Sequence, residues 1–228
     1  MKKKLTLVVT CVVLVAAMVI GGTLAYFTDT QTATNTFTMG NVQIKLDEAV
    51  VTKDGDTWTA STDRTEKGNN YGDVYPGAVL PKDPTVHNRG ENSAYIRAKV
   101  TVKDAKNVLA QLFSDKKIEE GTWPTEQYKG YFMDLVGTLG EGWTLIDVTG
   151  YYDNDTDLTF VFKYSDVLAK GESTSAIFQN ITIPANYDGK YFGGTVAKAT
   201  TDITIVAEAM QVESFSTWEA AFTAFDAN

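Results

Sequence analysis

Cysteine and histidine are nearly absent from this chain, with one of each in 228 residues. Cys11 lies inside an apolar run, so the chain beyond that run has no disulfide and no thiol chemistry, and its fold rests on core packing alone. A lipoprotein would need that cysteine at a cleavage point, and the following Val12-Val13-Leu14 does not suit one. A zinc hydrolase draws on two or three histidines, often two on one helical face as in H-E-x-x-H. His87 is alone beside a turn and reads as an ordinary strand-end residue, with no metal and no cofactor expected. A Ser-His-Asp triad would also have to use His87, and no G-x-S-x-G elbow presents a nucleophile. Basic residues are scarce too, 20 against 29 acidic. That balance argues against nucleic acid or anionic lipid as partners, since both demand basic patches.

What is present begins at the amino terminus. Lys2, Lys3 and Lys4 precede an apolar run from Leu5 to Ile20, which ends in Gly21, Gly22, Thr23, Leu24 and Ala25. A basic start, an apolar run and small residues at the exit form the layout of a secretory signal peptide over residues 1–25. Thr23 and Ala25 are the small residues a signal peptidase needs, which places cleavage between Ala25 and Tyr26. The competing expectation is a retained anchor, since the stretch is just long enough for a bilayer that takes ~20 residues. Removing the leader takes three lysines and leaves 17 basic residues against 29 acidic, a net charge of −12.

Directly after the leader, every second residue is threonine: Thr28, Thr30, Thr32, Thr34, Thr36 and Thr38. Period two in a β-branched residue predicts one extended strand within residues 26–40. Its other face carries Phe27, Asp29, Gln31, Ala33, Asn35, Phe37 and Met39, with Phe37 and Met39 the best apolar anchors. An isolated strand leaves its backbone donors and acceptors unpaired, so it must pair within its own sheet or with a neighbour's edge.

Residues 41–228 read as one domain. Val42, Ile44 and Leu46 alternate with polar residues as a half-buried strand, and Lys53-Asp54-Gly55-Asp56 reads as a hairpin turn before Trp58. Residues 61–77 read as a surface loop, and Asn88-Arg89-Gly90-Glu91-Asn92 as the turn of a second hairpin. After it, Ala94, Ile96, Ala98, Val100 and Val102 point one way, and Tyr95, Arg97, Lys99, Thr101 and Lys103 point to solvent. Asp104 is placed to cap a short helix, and a second helix is expected around 125–136, ended by Gly137, Gly140 and Gly142. Further strands are expected at 143–149, 158–164, 176–183 and 201–212. Ser216 and Glu219 form a capping-box pattern opening a terminal helix with Trp218, Phe222 and Phe225. No repeat or low-complexity linker divides the chain. The predicted fold is mostly β, a β-sandwich of jelly-roll type with short inserted helices and a short C-terminal helix.

Asp153-Asn154-Asp155-Thr156-Asp157 matches the opening of an EF-hand loop, but Leu158 stands where glycine is needed and Tyr164 where glutamate is needed. It reads as an acidic hairpin loop. Leu80-Pro81-Lys82-Asp83 lacks the threonine-glycine of a sortase signal.

The run GGTLAYFTDTQTATNTFTMGNVQI resembles the leader and start of the TasA/CalY (camelysin-like) exported proteins. The likeness is specific over residues 1–46 and returns more loosely from Pro76-Gly77 to Val102 and from Ile203 to Phe225. It implies processing by a signal peptidase of the SipW type and secretion to the matrix or surface of a Gram-positive bacterium. It also implies a subunit of biofilm fibres, built head-to-tail by donor-strand addition between copies of the chain. Contact with a membrane is expected only through the uncleaved leader. A monomeric adhesin binding through residues 61–77 and 151–157 is the alternative from another class. A peptidase is the third, because the CalY branch carries that label.

Overall fold

The computed structural model describes residues 28–32, 35–37, 42–72, 74–113, 124–150, 156–185 and 202–227. The protein is mostly β and its sheets are antiparallel. The strands are β1 (Thr28–Thr32), β2 (Asn35–Phe37), β3 (Ile44–Asp54), β4 (Thr57–Thr65), β5 (Val79–Pro81), β6 (Thr85–Asn88), β7 (Ala94–Val102), β8 (Trp143–Thr149), β9 (Leu158–Tyr164), β10 (Asn180–Thr182) and β11 (Ile203–Gln211). The helices are α1 (Ala105–Leu112), α2 (Pro124–Val136) and α3 (Trp218–Asp226). A six-stranded sheet has the order β2-β1-β11-β7-β9-β8, a three-stranded sheet the order β4-β3-β6, and β5 pairs with β10.

Alternation on β7 is what builds the core. Ala94, Ile96, Ala98, Val100 and Val102 are all buried, as the period-two pattern predicts. They join Ile44, Leu46 and Val86 of the three-stranded sheet in one cluster. Leu158, Phe160 and Phe162 supply the same face from β9, and α2 lays Phe132 on Phe160 with ring centroids 4.2 Å apart. A stacked pair of that kind adds about 0.5–1.5 kcal/mol beyond its area burial.

Several expectations are corrected. The threonine run is not one strand: β1 and β2 are separate antiparallel partners, with Thr30 opposite Phe37, Gln31 opposite Thr36 and Thr32 opposite Asn35. Thr34, Thr38 and Met39 lie outside the described residues, as do Ala25 and Tyr26. The predicted loop at 61–77 begins later, because β4 runs on to Thr65. Its polar residues conceal a strand exposed on both faces, which no apolar alternation marks. Asn88–Asn92 does not close a hairpin either: β6 pairs with β3 while β7 pairs with β9 and β11, so the chain crosses between sheets there. The strand expected at 176–183 is reduced to β10. The cap of α3 is Thr217 rather than Ser216, its side chain accepting from Ala220 N–H. Asp104 does precede α1, at φ +53°, with its carboxylate accepting from Asn107 Nδ2 at 2.7 Å. Among the described residues no helix is long and apolar enough to cross a membrane.

Candidate interface at the amino-terminal hairpin

β1 has the sequence TDTQT, without an apolar residue. It pairs antiparallel with β11 of the same chain through five register partners, from Thr28 opposite Met210 to Thr32 opposite Val206. Asp29 and Gln31 stand opposite Ala209 and Ala207, both fully buried on β11. Phe37 falls on β2, as the register partner of Thr30. The hairpin therefore forms one end of the six-stranded sheet.

The other long edges are built differently. On β8, Leu145 faces Phe162 and Asp147 faces Val161, so Ile146 is extra and protrudes at 37% exposure. On β4, Ala60 faces Val51 and Arg64 faces Ala49, leaving Ser61, Thr62 and Asp63 opposite Val50 alone. Bulges of this kind twist an edge away from further pairing. The outer side of β6 is occupied: Thr174 N–H donates to the Val86 carbonyl, and Asn88 N–H to the Glu172 carbonyl, both at 2.9 Å.

β6 also carries His87, and the fold gives it partners that spacing in the sequence does not reveal. His87 Nε2 lies 3.0 Å from Asp47 Oδ1, and His87 Nδ1 lies 2.6 Å from Ser173 Oγ. Asp47 is buried on β3 and is shared with two cations, Arg64 Nε at 2.8 Å and Lys45 Nζ at 3.1 Å. Burial pushes the Asp47 carboxyl up, but the bonds from His87, Arg64 and Lys45 together outweigh it and hold its pKa below the ordinary carboxylate value. Asp47 ties β3 to β4 through Arg64 and to β6 through His87, which carries the link on to Ser173, rather than serving the imidazole alone.

On the other face of the six-stranded sheet, Arg97 departs from the solvated position expected for it. Its side chain is 6% exposed, held by Glu208 Oε2 at 2.5 Å and by both oxygens of Asp226 on α3, at 2.7 and 2.6 Å. The guanidinium also lies over the rings of Phe222 and Phe225, with the carbon 4.4 and 5.3 Å from their centroids.

Residues 1–116 match the family model described as camelysin metallo-endopeptidase. The chain belongs to this family. No curated protein and no solved structure matches it. The camelysin name implies a metal, and the donors on hand do not fit one. The chain has a single histidine, and both of its ring nitrogens are engaged by Asp47 and Ser173. Among the described residues, no group of three or more His, Cys, Asp or Glu side chains is arranged to hold a metal ion.

Proposed function

We propose that this camelysin-family chain is an exported structural subunit that assembles head-to-tail into extracellular matrix fibres by donor-strand exchange. Its leader is removed between Ala25 and Tyr26 by a peptidase of the SipW type, which frees the hairpin. The observation that carries this reading is the make-up of β1. A strand with no apolar residue is held to β11 by backbone pairing over five residues, so its docking is cheap to release and to re-form. A neighbour's β1 can satisfy the same donors and acceptors on β11 in the same antiparallel register, so exchange conserves the hydrogen bonds. Because each subunit gives one hairpin and accepts another, the contact is heterologous and generates an open filament. The bulges on β4 and β8 support the assignment, since they leave the β1–β11 end as the one suited to growth among the described long edges. Phe37 and Met39 are the anchors proposed to bias where the strand docks, at about 1.5–3 kcal/mol for a fully buried side chain.

The test is a deletion of Tyr26 to Asn35. The shortened protein is expected to remain a folded, soluble monomer that forms no filaments in the electron microscope. The excised peptide, added in excess to intact subunits, is expected to shorten their fibres. Fibres of normal length from the deletion variant would sink donor-strand exchange. Cooperative unfolding of that variant would show that the hairpin does not leave its own sheet, and would move a monomeric adhesin ahead. The family name favours one further reading, a peptidase, which requires chelator-sensitive cleavage of a protein substrate.

A further inference from the structure

Away from the hairpin, Glu48 on β3 meets Lys82 and Asn69 from the segments that follow β5 and β4; Glu48 and Lys82 are buried and Asn69 is half-buried. Lys82 Nζ donates to Glu48 Oε2 at 2.6 Å, and the two side chains are only 8% and 6% exposed. The second carboxylate oxygen, Oε1, accepts from Asn69 Nδ2 at 2.8 Å. One carboxylate thus touches both an amine and a carboxamide. The Asn69 carboxamide is fixed at its other atoms as well: Nδ2 donates to the Ala49 carbonyl at 2.7 Å, and Oδ1 accepts from Val51 N–H at 2.8 Å. The register break between Ala49 and Val51 is what turns these two backbone groups toward Asn69. Gly68 delivers the asparagine from a left-handed turn at φ +75°, close against Glu48 Oε1. All three side chains border a partly open cavity of about 720 Å³ whose lining mixes apolar residues such as Leu46, Leu80 and Ile181 with polar ones such as Thr65, Asn70 and Asp202.

A buried ion pair adds little to stability by itself, because desolvation offsets the attraction. What this one has in addition is a carboxylate that touches both the amine and the carboxamide that aminolysis would join. We propose that Lys82 and Asn69 are joined by an intramolecular isopeptide bond whose formation Glu48 promotes. Glu48 Oε2 takes a proton from the Lys82 ammonium and leaves a neutral amine. The Nζ lone pair attacks Asn69 Cγ, and the negative charge that develops on Oδ1 is met by the Val51 N–H already bonded to it. Glu48 then returns its proton to Nδ2. The tetrahedral carbon collapses, the Cγ–Nδ2 bond breaks, and ammonia departs with the remaining proton of the amine as ammonium. The new Cγ–Nζ amide replaces the old one, with no oxidant, reductant or second substrate. Holding both reactants on one carboxylate supplies the proximity that makes so slow a reaction feasible once folded. The product pins the segment after β4 to the strand entry at Lys82, giving a covalent cross-link to a chain whose only cysteine is Cys11.

Intact-mass spectrometry of the purified full chain, followed by peptide mapping, decides the matter. The expected result is a mass lighter by one ammonia than the composition requires, and a branched peptide joining Asn69 to Lys82. Lys82→Arg, Asn69→Ala and Glu48→Gln are each expected to restore the full mass and abolish the branched peptide. A wild-type chain that keeps the full mass after prolonged incubation overturns the proposal. So does an ammonia loss that maps to any other site without the branched peptide. The wild-type map answers the question even if a variant fails to fold, and neither result depends on whether the chain forms fibres.

Discussion

Arg97 follows the outward parity of β7, yet it is among the most deeply buried charged residues of the protein. The reason is a helix more than a hundred residues away, whose Asp226 forms a two-pronged pair with it across a sequence separation of 129. The bond from Arg97 holds the Asp226 carboxyl below the usual aspartate value, against a smaller upward push from burial. A lowered carboxylate pKa contributes stability that is present above the unfolded value of about 3.9 and lost as pH falls through the folded one. Docking of α3 is therefore expected to loosen as pH drops below about 4, seen as lower hydrogen-exchange protection of the α3 amides relative to their intrinsic rates at each pH. Asp226→Asn should weaken that pH dependence, leaving the share of Glu219, which the bond from Lys163 also holds low on the same helix. The cost should stay below about 1 kcal/mol, because the Asp226 carboxylate is half exposed and screened. Unchanged protection at low pH would show that the apolar contacts of Phe222 hold the helix alone. Asp47, whose pKa is also lowered, lies in the other sheet and leaves the α3 amides unaffected.

At the scale of elements, the glycines after α2 have different tasks that the sequence lumps together. Gly137 ends the helix, at φ +70°, with its N–H donating to the Met133 carbonyl at 2.7 Å. Gly140 does not end anything. A Cβ built there would meet the Ala176 carbonyl oxygen at 1.9 Å, because the chain passes against residues 175–177 and Gly140 N–H donates to the Ile177 carbonyl. Gly140→Ala is accordingly expected to destabilise by about 1–3 kcal/mol in chemical denaturation, the usual cost of overpacking. A neutral result would mean that the backbone there shifts freely. The helix itself, like β7, β8 and β9, was legible because periods of 3.6 and 2 are carried by neighbours in the chain. The hairpin expected at Asn88–Asn92 failed for the complementary reason. A turn signal says where the chain bends, and not which sheet it enters next.

At the scale of the whole molecule, the excess of acidic residues sets how copies approach one another. On the proposed reading, subunits that have lost the three leader lysines carry a net charge near −12 and repel each other at long range. Raising the salt from a few millimolar to about 0.15 M shortens the Debye length to about 8 Å. Filament growth followed by light scattering is expected to speed up across that range. Growth that slows with salt would instead point to attractive ion pairs at the subunit contact.

The sequence by itself determined the mostly β character, the positions of β7, β8, β9, β11 and the helices, the family and the scarcity of histidine and cysteine. Each of these follows from local periodicity, a contiguous motif or a count, and none needs a distant partner. The tertiary structure alone decided that the threonine run folds as two strands, β1 on β11 and β2 on β1, that β4 continues through a polar stretch, and that Arg97 is covered. It also decided that His87 meets Asp47 and Ser173, and that Glu48 touches both Lys82 and Asn69. These are choices of partner between segments far apart in the chain. Hydrogen bonds and charges are satisfied by whichever group the packed core brings within reach, and that is fixed only when the sheets close over it.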